Sequence, residues 1–233
     1  MGWAVVLAIF VCFALFVVLH LRPLTEDEVI ALAARRREKG IGSYYSFDRR
    51  EYSVDLEFKK RMPAGGAFRC ISLRLSDFPA YAAGLLKYKK HEWIIVAFER
   101  NRSVELTWMN KGDDASQVHC GISMLLLQAA AANDSCGSIL VFHNHPNPNP
   151  SRYSFHNASD QDEKSANALA SELRTRGLNL LEFVCERGRH YEYWRSVCDM
   201  FLPLHTFKED VDRMNGRNRV QNLSFHLERL FGL

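Results

Sequence analysis

Residues 141–162 read VFHNHPNPNPSRYSFHNASDQD and place two histidines, His143 and His145, directly after an apolar run. Side chains two positions apart in an extended segment point to the same side, so the two imidazoles can bind one ion. Asp162, at the end of the stretch, offers a carboxylate as a third ligand. This set is common at catalytic zinc, because three protein ligands leave a fourth position for water. The stretch therefore predicts a metal site and, with it, an enzyme.

The order of the motifs resembles the JAMM (MPN+) metallopeptidase pattern, in which an upstream glutamate is followed by H-x-H-P and then by S-x-x-D. This chain has Glu92, then His143-Asn144-His145-Pro146, then Ser159-Asp160-Gln161-Asp162. The flanking segments HEWIIVAFERNRSVELTW, ILVFHNHP and DEKSANALASELRTRGLNLLEFV are similar to the bacterial RadC-type branch of that superfamily. The likeness covers about residues 67–193. Three motif elements in the right order are a specific signal, whereas H-x-H alone is weak.

The resemblance implies an α/β (α+β) protein with the MPN (JAB) deaminase-like fold, a central mixed sheet flanked by helices. It implies a Zn²⁺ ion held by His143, His145 and Asp162. Glu92 would be the general base toward the metal's water, and Ser159 would donate a hydrogen bond to the oxyanion. The implied partner is a ubiquitin-like protein or its conjugates, cleaved at a peptide or isopeptide bond in a bacterial conjugation pathway, including antiphage ones. The alternatives are a RadC-like protein linked to DNA repair and a non-catalytic MPN scaffold.

The spacer between the two metal motifs, residues 147–158, is longer than is usual in the family. Asp160 is therefore a rival to Asp162 as the third ligand. We prefer Asp162, because a serine stands three positions before it and a helix-like run begins there. His156 is a further candidate ligand, although a solvated loop histidine is the simpler interpretation. Ser159 is, on its own, most simply the N-cap of the following helix, and this role is compatible with catalysis.

Composition and charge narrow the class of protein. Hydrophobic residues make up 47% of the 233-residue chain, enough for one domain with a full core plus appendages. The net charge of +3 is small and the basic residues are mostly scattered, so no nucleic-acid partner is expected. The 6 cysteines include no C-x-x-C pair, which favours unpaired thiols in a reducing compartment.

The N-terminal run at residues 3–19 contains no charged or polar side chain, and the first charge after it is Arg22. This pattern predicts a transmembrane anchor through residues 3–21, with a cleaved signal peptide or a buried core helix as alternatives. Basic residues follow the run, so the positive-inside rule predicts a single-pass protein with its catalytic domain in the cytoplasm.

The hydrophobic pattern and turn residues predict the remaining elements. Thr25 and Glu28 form a capping-box pattern for a helix that we expect to end at Gly40. Strands are predicted at 68–75, 92–98, 104–109, 138–142, 178–185 and 191–194, and helices at 80–88, 117–132 and 162–176. The predicted organisation is a transmembrane anchor (1–21), a cytoplasmic helix and linker (22–62, with the linker at 40–60), a metallopeptidase domain (63–200) and a C-terminal helical tail (201–233).

Overall fold

The computed structural model describes residues 2–20, 25–113, 118, 120, 123–133, 136–147 and 156–198. The chain divides into two units, one formed by Met1–Gly42 with Leu202–Leu233 and the other by Ser43–Phe201. The predicted helical tail lies outside the described residues. The predicted metal site falls in the second unit.

The first unit contains helix α1 (Gly2–His20), which includes the run predicted as a membrane anchor. Among the described residues, no helix combines the length and the apolar character needed to cross a membrane. The predicted transmembrane helix is therefore wrong, as is the single-pass location derived from it.

Helix α2 (Glu26–Tyr44) begins with the predicted capping box. The Thr25 amide donates to Glu28 Oε2 at 3.0 Å, and the Glu28 amide donates to Thr25 Oγ1 at 3.3 Å. The helix does not end at Gly40 as predicted, because a helical glycine costs only about 1 kcal/mol and tertiary context can outweigh that. The predicted start of this helix is confirmed and its predicted end is wrong.

Residues 40–60 are not the linker that their irregular pattern predicts. Tyr45, just beyond α2, is 3% exposed. Its hydroxyl lies 2.6 Å from Ser138 Oγ and accepts a hydrogen bond from Asn179 Nδ2 at 3.0 Å. A short helix, α3 (Leu56–Lys60), follows with Asp55 as its N-cap. This segment packs through contacts with residues far along the chain, which hydrophobic periodicity cannot reveal.

The second unit is built on a six-stranded mixed sheet, in agreement with the predicted α/β (α+β) class and its helix-flanked central sheet. The strands are β1 (Gly65–Arg74), β2 (Trp93–Arg100), β3 (Ser103–Lys111), β4 (Ser138–His143), β5 (Asn179–Glu186) and β6 (Arg189–Ser196). Their order is β1-β3-β2-β4-β5-β6, with β4 and β5 parallel and every other pair antiparallel. The consecutive strands β2 and β3 form one antiparallel hairpin, and β5 and β6 form another.

Helices cover both faces of this sheet, which is why β2 and β4 are apolar without alternation. Helix α4 (Phe78–Leu86) packs on one face, where the Phe78 and Phe142 rings lie 5.5 Å apart. Helices α5 (Met124–Asn133) and α6 (Asp160–Arg174) cover the other face. Their side chains form a core cluster with those of the sheet, including Ile94, Val96, Leu127, Ile139, Val141, Ala170, Leu173 and Leu180.

The alternation of β4 decides where the histidines lie. Ile139 and Val141 point into the cluster under α5 and α6, so His143, the last residue of β4, is on the same face. Ile94 of β2 pairs with His143 of β4, so the segment that precedes β2 lies beside the end of β4. The site therefore forms where β4 ends, beside the first turn of α6.

Candidate metal centre

A buried cluster of two histidines and a glutamate lies at the end of β4. The ligand atoms of Glu92, His143 and His145 are all within 4.8 Å of one another, so this group could hold a metal ion. The Nε2 atoms of the two histidines are 3.1 Å apart. Glu92 is 7% exposed and His143 is 5% exposed. Burial of this kind is costly for polar groups unless each has a partner.

Asp162 approaches the same two nitrogens from the first turn of α6. Its Oδ1 lies 3.5 Å from His143 Nε2, and its Oδ2 lies 3.3 Å from His145 Nε2. Zinc bonds of about 2.0 to 2.1 Å at tetrahedral angles place neighbouring ligand atoms about 3.3 Å apart. The 3.1 Å between the two histidine nitrogens, and the 3.5 and 3.3 Å from them to the two Asp162 oxygens, lie near that spacing. Asp162 and Glu92 therefore both border the position that an ion would take.

The electrostatics favour the protonation states that a metal requires. Burial lowers the pKa of His143, against the opposing effect of Asp162. Burial on its own would raise the pKa of Asp162, but hydrogen bonds from His143 and His145 outweigh it and hold that pKa well below its usual range. Neutral imidazole and ionised carboxylate are the ligand forms of these side chains.

Ser159 fixes the Asp162 side chain. Ser159 is the N-cap of α6, as predicted, and forms a full capping box with Asp162. Its amide and its hydroxyl each donate to Asp162 Oδ2 at 2.7 Å, and its Oγ accepts from the Asp162 amide at 3.2 Å. The helix cap thus holds a carboxylate toward the histidines. The predicted role of the hydroxyl as an oxyanion donor stays a prediction.

The two rival ligands lie elsewhere. Asp160 is exposed in the first turn of α6. The Nδ1 atom of His156 is 3.8 Å from Glu186 Oε2, and its ring packs on Tyr191 at 4.8 Å between centroids. Within the described ranges the metal-binding group contains neither residue, nor does it contain Asp162, which instead lies 3.5 and 3.3 Å from the two histidine Nε2 atoms.

Asn144, between the two histidines, is a residue that the sequence analysis missed. It is 3% exposed. Its Oδ1 accepts from the Trp93 amide at 3.0 Å, and its Nδ2 donates to the His91 carbonyl at 3.1 Å. These hydrogen bonds hold the backbone on both sides of Glu92. The available signal was the alternation of side chains in an extended segment. If His143 and His145 point to one side, Asn144 points to the other side, where it can contact a neighbouring segment.

Glu182 and Tyr193 were also missed. They border a cavity of about 330 Å³ that contacts the metal cluster. The cavity lies between the sheet and helices α5 and α6, and its lining consists of Glu92, Ile94, Val96, Val118, Cys120, Met124, Leu127, Val141, His143, Asp162, Ser165, Leu169, Glu182 and Tyr193. Glu182 is 5% exposed and accepts a hydrogen bond from Tyr193 Oη at 2.5 Å. Burial raises the pKa of Glu182 to about 7. The available signal was a charged residue among the apolar residues of a predicted strand.

Comparison with known proteins adds no relative. Neither the protein-family models nor the curated proteins include a match to this chain. Any functional assignment therefore depends on the motifs and on the geometry of the site.

Proposed function

We propose that this protein is a zinc-dependent hydrolase that cleaves peptide or isopeptide bonds at the C-terminus of a ubiquitin-like modifier. The observation that carries the proposal is the approach of Asp162 to both histidine Nε2 atoms, at 3.5 and 3.3 Å, with Glu92 in the same buried cluster. Motifs separated by a long loop thus converge at one point. The order of these motifs is that of the JAMM metallopeptidases.

The donor set favours zinc over harder ions. Two imidazole nitrogens with one carboxylate suit zinc and other transition metals, whereas magnesium and calcium prefer oxygen ligands throughout. A bound zinc ion would supply Lewis acidity and lower the pKa of a coordinated water to about 7. The protein supplies the rest of the chemistry.

Glu92 is the group that we assign to proton transfer. Its backbone is held on both sides by Asn144, so its carboxylate is positioned by the same segment that carries the histidines. It takes a proton from the attacking water and delivers it to the leaving amine. The Asp162 carboxylate already accepts a hydrogen bond from Ser159 and lies against both histidines. It is therefore better suited to bind the metal than to accept a proton from water.

The sheet offers a place for an extended substrate. In the described sheet β6 is an edge strand, and it carries Tyr193, which lines the cavity beside the metal cluster. An extended C-terminal tail can bind by adding a strand to such an edge. The Tyr193 ring lies 5.8 Å from that of His143, so this edge strand borders the metal cluster.

The decisive experiment measures zinc content and cleavage together. The full chain is expected to bind about one zinc and to hydrolyse an amide at the C-terminus of a ubiquitin-like protein. The Glu92→Gln variant should keep the zinc and lose about a thousandfold in kcat, because general acid–base catalysis contributes about 10² to 10⁴. Metal content is measured by atomic absorption and cleavage with a fluorogenic amide.

Glu99→Gln is the matched control, because Glu99 is buried near the end of β2, the strand that Glu92 directly precedes, and lies outside the cavity lining. It should retain both zinc and activity. Loss of zinc in Glu92→Gln would show that Glu92 is a ligand, and cleavage by that variant at the wild-type rate would rule out its role as the base.

A further inference from the structure

The cavity beside the metal cluster combines an apolar wall with a buried carboxylate. The wall includes Ile94, Val96, Val141 and Leu127, and Glu182 lies among the lining residues. The volume of about 330 Å³ falls in the range of about 300 to 1,000 Å³ that is typical of small-ligand pockets. Such a lining suits a ligand with an aliphatic stem and one polar end.

Glu182 is a buried carboxyl group among apolar neighbours, which suggests that a ligand binds it. It pairs in register with Val141 and lies on the same sheet face as Leu180, one of the core residues. Burying a carboxyl among such neighbours costs free energy that an apolar side chain of similar size would not. Tyr193 satisfies one oxygen, Oε2. A carboxylate can accept up to about four hydrogen bonds, so it has capacity for a donor from the cavity.

We propose that this cavity binds a lysine side chain of the substrate, adjacent to the cleaved bond, with its methylene groups on the apolar wall and its ammonium on Glu182. The assignment rests on the proposed hydrolase function and adds a substrate preference to it. Glu182 is then a specificity-determining residue.

Charge balance supports a cationic ligand. A divalent ion held at the cluster would be neutralised by the carboxylates of Glu92 and Asp162, so an ionised Glu182 would add one uncompensated negative charge. A single ammonium restores neutrality inside a largely buried site, where unpaired charges are costly.

The contact with Tyr193 favours lysine over arginine. A guanidinium binds a carboxylate best through both oxygens at once, as a fork. Tyr193 already occupies Oε2, which disrupts that geometry. An ammonium is a compact charge that needs only one oxygen.

The test uses n-butylammonium, which reproduces the lysine side chain, and n-butanol as its neutral counterpart. Both are titrated by NMR into the full chain at about pH 8, with and without zinc. We expect n-butylammonium to bind at least about tenfold more tightly than n-butanol, the size expected of a hydrogen bond to a charged group. The Glu182→Gln variant should lose this preference while its affinity for n-butanol stays unchanged. Glu99→Gln, the buried control, should keep it.

Equal affinity of the wild-type chain for the two probes would overturn the proposal, and this comparison does not depend on any variant folding. Retention of the preference in Glu182→Gln would overturn it as well. These outcomes are separate from the hydrolase assignment. A chain that prefers n-butylammonium but cleaves nothing refutes the hydrolase alone, whereas a chain that cleaves without this preference refutes the lysine site alone.

Discussion

Single residues in this protein carry charge where the fold excludes water. Glu182 is the clearest case, because burial raises its pKa to about 7 from an ordinary value of 4.5. Between those two values the unfolded chain releases its proton while the folded chain keeps it. The free energy of unfolding therefore falls as the pH rises through this window, by about 3 kcal/mol in total.

Glu182→Gln should remove this decrease in the free energy of unfolding, because a glutamine side chain stays neutral. The wild-type chain and the variant should have similar stability below about pH 4.5 and diverge up to about pH 7, with the variant about 3 kcal/mol more stable beyond it. Urea unfolding of metal-free protein at a series of pH values measures the difference. Parallel stability curves for the two proteins would show that Glu182 does not titrate in this way.

Asn144 and Glu182 also mark the limit of sequence interpretation at this scale. The residue types were visible, but their roles depend on what lies opposite them. Asn144 faces the backbone around Glu92, and Glu182 faces a cavity. Periodicity predicts the side to which a residue points, and only the packed structure shows its partner there.

At the scale of elements, the long spacer between the metal motifs is hydrogen-bonded to Glu186 of β5 at its start and approaches the same residue again near its end. Asn147 Nδ2 donates to Glu186 Oε1 at 2.9 Å, and His156 Nδ1 lies 3.8 Å from Glu186 Oε2. Closing a longer loop costs only a little more entropy, about 0.6 kcal/mol for each doubling of length. The insertion is therefore compatible with a first turn of α6 that still meets the histidines.

The α6 cap links helix stability to metal affinity. Ser159→Ala removes the hydroxyl that caps the helix and orients Asp162, so we expect a loss of about 1 kcal/mol in the free energy of unfolding. Zinc affinity should fall about 10- to 100-fold, as is typical when the partner of a metal ligand is removed. Chemical denaturation and competition with a chromogenic chelator measure the two effects.

Ser159→Thr is the control for this prediction, because it keeps a hydroxyl at the N-cap. It should retain most of the zinc affinity. If Ser159→Ala binds zinc as tightly as the wild-type chain, the capping box does not position a ligand.

At the scale of the whole molecule, the proposed zinc ion joins elements that are distant in sequence. His143 ends β4 and Asp162 lies in α6, so a shared ion would cross-link the sheet to the helix that covers it. A ligand that binds only the folded state stabilises it by about 2.7 kcal/mol when present at 100 times its Kd.

Zinc should therefore raise the Tm of the wild-type chain relative to chelator-treated protein, and His143→Ala should abolish the shift. His156→Ala is the control, because His156 lies against Glu186 and Tyr191 instead of the cluster. Differential scanning calorimetry measures all three proteins. Loss of the shift in His156→Ala would identify that histidine as a ligand.

Local patterns were enough to predict the strands that carry the site, because short apolar runs such as WIIVAF and ILVF are typical of buried strands. They also predicted the caps at Thr25 and Ser159, because capping depends on neighbouring residues. They failed at the N-terminus, where a hydrophobic run predicted a span that α1 does not provide. They also failed at residues 40–60, where Tyr45 is held by Ser138 and Asn179.

The pairs of side chains that meet in the site depend on the tertiary fold. The approach of Asp162 to His143 and His145 closes a loop of more than a dozen residues, and the cavity at Glu182 forms between a sheet and two helices. Local patterns record the conformation of a segment and the side it buries. The distances between segments depend on packing among residues far apart in the chain, which no local pattern contains.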